Sequence, residues 1–162
     1  MKKKQVLLII GLLLVAFDSY AQKPRYIKSD KYEGVIFAKY CWTTSKIAKN
    51  PYIPTDKEIA TMEKKISESI SILLTDFTET QNEVFKGSCD IVKNLTKYKR
   101  QYYGYWADNG EKIVIVNFYL SVSQKWKERM YPTEMGGCNE FELKYSINKG
   151  KLYDFFTDLS PE

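Results

Sequence analysis

The clearest pattern along the chain lies between Thr55 and Phe77. Ile59, Met62, Ile66, Ile70, Leu73 and Phe77 recur at steps of 3, 4, 4, 3 and 4, one apolar stripe on an α-helix. Lys57, Glu63, Lys64, Lys65, Glu68 and Ser71 fall mostly off that stripe. Thr55-Asp56-Lys57-Glu58 reads as a capping box, with the Thr side chain and the Glu side chain satisfying each other's backbone amides. The spacing predicts a helix over 56–78, about 30 Å long at 1.5 Å per residue. A single stripe with strand-like segments on either side predicts packing on a sheet.

Other segments follow a two-residue period. "YEGVIFAKYCW" at 32–42 is rich in β-branched and aromatic residues and predicts a strand. Four more strands are predicted at 98–106, 112–122, 138–147 and 151–156. In the third, Phe141, Leu143, Tyr145 and Ile147 point one way while Glu140, Glu142 and Lys144 point the other. Between the first strand and these, "SCDIVKNLTKY" predicts a short helix, with Ser88 as a possible cap. "NKGK" joins the last two strands, and "DNG" at 108–110 turns the first hairpin. The expected fold class is α+β: one long helix on an antiparallel sheet of about five strands, in the order β-α-β-β-β-β, forming a single domain over 32–162.

The "DNG" turn carries a one-residue choice. A two-residue Asn109-Gly110 turn, the preferred reading, sends Tyr103 and Tyr105 to the helix side with Val114, Val116, Phe118 and Leu120. Tyr102, Trp106, Ile113, Ile115 and Tyr119 then line the opposite face and form the candidate ligand or partner surface. A three-residue Asp108-Asn109-Gly110 turn exchanges the tyrosine sets. The competing explanation for these aromatics is cross-strand packing beneath residues 123–135, including Trp126.

The beginning of the chain adds an address. Three lysines precede an apolar run of twelve residues, Val6 to Phe17, and Ser19-Tyr20-Ala21 sets small residues at a cleavage site. This order predicts a secretory signal peptide over 1–21 rather than a membrane span, which needs about 20 apolar residues. Export to the periplasm or the medium follows, with no transmembrane span in the mature chain of about 140 residues. Residues 22–31 are expected to form a flexible lead-in. Without the three lysines and Asp18 of residues 1–21, 22 basic residues face 19 acidic ones, so the balance is not a nucleic-acid footprint. Lys93, Lys97, Lys99 and Arg100 are a local cluster, expected to be solvated.

Chemistry is bounded by an absence: the chain contains no histidine. That weighs against serine triads, Cys–His pairs and HExxH zinc sites together. Cys41, Cys89 and Cys138 lie far apart, without metal-ligand spacing, and export permits one bridge among three possible pairings. No cofactor motif is present: Gly136-Gly137 lacks the Lys-Ser/Thr of a phosphate loop and is expected to lead tightly into the strand at Cys138. Glu140 and Glu142 could serve a carboxylate-based hydrolase, but a solvated strand face explains them more simply. Asp154 and Asp158 read as surface charges.

Two resemblances complete the sequence reading. The order of strand, long helix and meander resembles the cystatin-like fold over about 32–156. The inhibitor motifs of that family are missing: the first hairpin reads Ala107-Asp108-Asn109-Gly110-Glu111-Lys112-Ile113 where cystatins carry Gln-x-Val-x-Gly, and the "NKGK" turn lacks a Pro-Trp pair. Protease inhibition is therefore not implied. "YKRQYYGYW", "NGEKIVIVNF", "GGC", "INKGKLYDF" and the "SYAQ" signal end resemble uncharacterised small exported proteins of Bacteroidota-type bacteria. That resemblance implies a fold and an address, and no catalytic residue. The functional expectation is an exported, non-catalytic module binding a protein, peptide or glycan. A structural or assembly component of the envelope is the alternative, and a carboxylate-based hydrolase comes third.

Overall fold

The capping box forms as the sequence predicts. In the computed structural model, which describes residues 23–38, 50–81, 90–131 and 137–157, the Thr55 hydroxyl accepts from the Glu58 amide at 3.3 Å and Glu58 accepts from the Thr55 amide at 2.8 Å. Helix α1 (Asp56–Gln81) starts there and runs for 26 residues. Its stripe is buried as expected, with Ile59, Met62, Ile66 and Ile70 at most 1 % exposed. A short helix α2 (Ile91–Asn94) follows and continues into a 3-10 turn over Leu95–Lys97. Its cap is Asp90, whose carboxylate accepts from the Lys93 amide at 2.8 Å; Ser88 lies outside the described residues. Among the described residues, no helix is long and apolar enough to cross a membrane.

Among the described residues, seven strands form one sheet: β1 (Arg25–Lys28), β2 (Glu33–Phe37), β3 (Pro51–Tyr52), β4 (Lys99–Trp106), β5 (Lys112–Tyr119), β6 (Glu140–Ser146) and β7 (Lys151–Phe156). The spatial order is β1-β2-β4-β5-β6-β7, and β3 shares the β2 edge of β4. The four predicted strands after the helix are all present. Two expectations need correction. Residues 25–28 of the expected flexible lead-in form β1, paired antiparallel to β2. The sheet is also mixed rather than antiparallel, because β2 runs parallel to β4, from Glu33 opposite Lys99 to Phe37 opposite Tyr103. The reason is the crossover: a helix that carries the chain back lets the next strand run in the direction of the one before it. The pairing is reinforced where Lys99 Nζ meets Glu33 at 2.5 Å.

The hairpin between β4 and β5 decides the faces. Ala107 donates to the Glu111 carbonyl at 2.8 Å, and Gly110 donates to the Ala107 carbonyl at 2.9 Å. Gly110 has φ +78°, a left-handed conformation suited to glycine. This is the three-residue turn, and it corrects the preferred two-residue register. Tyr102 now opposes Val116 and Tyr103 opposes Ile115. Tyr98, Arg100 and Tyr102 therefore share the helix side with Val114, Val116 and Phe118.

The core has two layers, one on each side of the sheet. On the helix side, Phe118 stacks on Phe141 with ring centres 4.1 Å apart, beneath α1. On the other side, Val35, Phe37, Tyr103 and Ile115 pack with Trp126 and Met130. The segment 120–131 thus covers much of the second face, in line with the expected packing beneath Trp126. Gln101 holds it there. The Gln101 amide donates to the carbonyls of Trp126 and Arg129, both at 2.7 Å, and accepts from the Tyr131 amide at 2.7 Å. Asn117 and Tyr119 add bonds to the Tyr131 carbonyl at 3.2 and 2.6 Å.

Candidate functional site

The five residues expected to form one surface do not do so. Tyr102 is fully buried on the helix side, moved there by the three-residue register. Ile113, Ile115 and Tyr119 lie on the other face and are each at most 3 % exposed. Trp106 is 40 % exposed, at the helix-side end of β4. Its ring meets Tyr52 edge to face at 5.6 Å, and the Lys112 ammonium lies 4.7 Å from the Tyr52 ring and 5.3 Å from that of Trp106. Tyr52 also donates to Glu58 at 2.5 Å. Burial alone would raise Glu58, but bonds from Tyr52 and Thr55, with Lys112 nearby, outweigh it and hold the carboxyl below its ordinary range. This corner ties β3 to the start of α1.

The expected carboxylate pair shares one face of β6, as the alternation predicts, with Glu140 and Glu142 both partly buried. Glu142 is half-buried on the sheet face opposite α1, and burial raises its pKa. Lys144 beside it pairs with Asp154 at 2.9 Å. Asp154 is more than a surface charge: it adopts φ +50° where the β6–β7 register shifts. Cys138 is disulfide-bonded, while Cys41, Cys89, Gly136 and Asp158 lie outside the described residues. The 3-10 turn Gly137–Asn139 leads into β6. Among the described residues, no group of three or more Cys, Asp or Glu is placed to hold a metal ion.

A cleft that the sequence did not announce lies on the helix side. Its volume is about 550 Å³. One wall is the α1 series Ala60, Glu63, Lys64 and Ser67, at helical spacing beside the apolar stripe. The other wall is the β1–β2 turn, Ser29 to Tyr32, with Leu95 and Thr96 closing one end. Ser29 stiffens the turn: its hydroxyl accepts from the amides of Lys31 and Tyr32, each at 3.2 Å, and its own amide donates to the Tyr32 carbonyl at 2.8 Å.

Arg100 and Glu63 meet at the floor, Nε to Oε1 at 3.2 Å. Their side chains are 1 % and 5 % exposed. Arg100 donates to the carbonyls of Tyr98 at 2.5 Å and Leu95 at 3.0 Å, and its guanidinium lies 5.2 Å from the centre of the Phe118 ring. Tyr102 donates to Glu63 at 2.8 Å. Burial raises the Glu63 pKa, opposed by the charge of Arg100 and the Tyr102 hydroxyl. Burial, then the nearby Glu63 charge, pushes Tyr102 far up, and the same two causes raise Tyr32. Both phenols stay protonated and can donate.

Arg100 is the correction that matters most here. The sequence places it among lysines expected to be solvated, yet it sits in the core. Its signal was positional: it falls between Tyr98 and Tyr102 on an alternating strand, so it shares their face. Glu63 was similarly legible as a flank position, four residues after Ile59 and three before Ile66. What neither pattern contained was their meeting. No family model, curated protein or solved structure matches this chain. The cleft therefore carries the functional reading from its own chemistry.

Proposed function

We propose that the chain is an exported, non-catalytic binding module whose ligand seats in the cleft between α1 and the β1–β2 turn. The observation that carries this reading is the cleft itself: about 550 Å³, with a buried Glu63–Arg100–Tyr102 group at its floor. Ligand sites are typically about 300–1,000 Å³, with a few fixed polar groups in an otherwise packed wall. The sheet face opposite α1, favoured from sequence, is the weaker candidate because residues 120–131 lie over much of it. A non-catalytic role fits the chemistry present. The floor carboxylate is already engaged by a guanidinium and a phenol, and the chain has no imidazole to move protons. Export rests on the signal-like order of residues 1–21. The layer of α1 on the β4–β7 meander supports a cystatin-like relation.

The test is a fragment screen by ligand-observed NMR on the purified protein and on Ala60→Trp. Ala60 is an exposed helix position on the cleft wall, so the indole fills the cleft while the core is left intact. Fragments that bind the wild type and are lost in the variant support the reading. A hit set indifferent to the substitution refutes it.

A further inference from the structure

We infer that the ligand of this cleft is an uncharged saccharide unit, a deepening that rests on the cleft reading above. The charge inventory points there first. Lys31, Lys64 and Arg100 line the cleft against Asp30, Glu63 and Glu68, three cations and three anions. An anionic ligand would meet three carboxylates, and a cationic one three basic groups. A hydrocarbon ligand would desolvate charged groups without replacing their hydrogen bonds. A neutral ligand rich in hydroxyls avoids all three costs.

The floor gives the recognition geometry. Arg100 is pinned by the Tyr98 and Leu95 carbonyls, and Glu63 by the Tyr102 hydroxyl. A planar donor and a planar acceptor are thus fixed side by side, 3.2 Å apart at Nε and Oε1. A ring hydroxyl can donate to the carboxylate. Arg100, 1 % exposed and with two of its nitrogens on backbone carbonyls, orients that carboxylate rather than meeting the ligand itself. The pair also neutralises itself, so a charged ligand group would have to compete with an existing buried contact. Tyr32 contributes the remaining element. Its half-buried ring lines the wall opposite α1 and offers an apolar surface to the C–H face of a pyranose.

The experiment is isothermal titration of the purified protein with glucose, galactose, mannose and N-acetylglucosamine, alongside glucuronate, lysine and glycine. At least one neutral sugar is expected to bind in the millimolar range or tighter, with the charged probes about tenfold weaker or worse. Tyr32→Ala is expected to weaken that sugar by about tenfold, and Ala60→Trp to abolish its binding. If the fragment screen confirms the cleft but none of the four sugars gives heat, or glucuronate, lysine or glycine binds as tightly, the saccharide inference fails and the cleft reading stands. If no compound of either set responds to Ala60→Trp, both fail.

Discussion

Gln101 is a buried amide on which the second layer of the protein depends. Its side chain lies between Val35 and Asn117 and is 0 % exposed. It satisfies three backbone groups of the covering segment: the Trp126 and Arg129 carbonyls and the Tyr131 amide. Gln101→Leu keeps roughly the volume and removes all three bonds. The bond to Trp126 is buried, whereas the other two are partly open to water. A buried orphan costs about 2 kcal/mol and a partly hydrated one about 1 kcal/mol, so the expected loss is about 4 kcal/mol. Such a loss is a large share of a typical domain's stability of about 5–15 kcal/mol. Urea unfolding followed by tryptophan fluorescence measures the change. Hydrogen exchange at the Tyr131 amide isolates its cause, because that amide donates to Gln101 itself. Loss of Tyr131 protection with a lowered midpoint is the expected pair of results. A midpoint within about 0.5 kcal/mol of wild type, together with unchanged Tyr131 exchange, would refute the claim that Gln101 holds this segment down.

Three further outcomes are expected. Ile66→Asp places a carboxylate at a position with no exposure and should cost more than about 4 kcal/mol, read as loss of the cooperative melt; wild-type melting would remove α1 from the core. Gly104→Ala should destabilise by about 1–3 kcal/mol, since the added Cβ would lie 2.3 Å from the Tyr52 carbonyl oxygen; unchanged stability would mean that β3 does not sit against β4 as described. Burial raises the folded-state pKa of Glu63, so its contribution favours folding below the ordinary carboxylate range and is lost as pH rises through the raised value. Relative to wild type, Glu63→Gln should therefore gain in stability between acid and neutral pH, and a difference constant across that range would contradict the assigned direction.

The helix and the alternating strands were legible from the chain alone because their causes are local. The capping box at Thr55, the stripe from Ile59 to Phe77 and the alternation of Phe141, Leu143 and Tyr145 each depend on residues within a few turns or pleats of one another. The faces of β4 and β5 were not legible in this way. Both turn lengths suit "DNG", and the one-residue choice was made by Gly110 at φ +78° and the Ala107–Glu111 bond, with the packing of Tyr102 against α1. The parallel β2–β4 pair was likewise hidden, because it joins residues 66 positions apart in sequence, as at Glu33 and Lys99. The assembly of the candidate site belongs to this second kind of information. Alternation puts Arg100 on the face of Tyr98 and Tyr102, and helical spacing puts Glu63 beside the stripe, but only the crossover that lays α1 over β4 brings them to one buried floor. Local chemistry thus specified the elements, while long-range pairing decided which side chains they share.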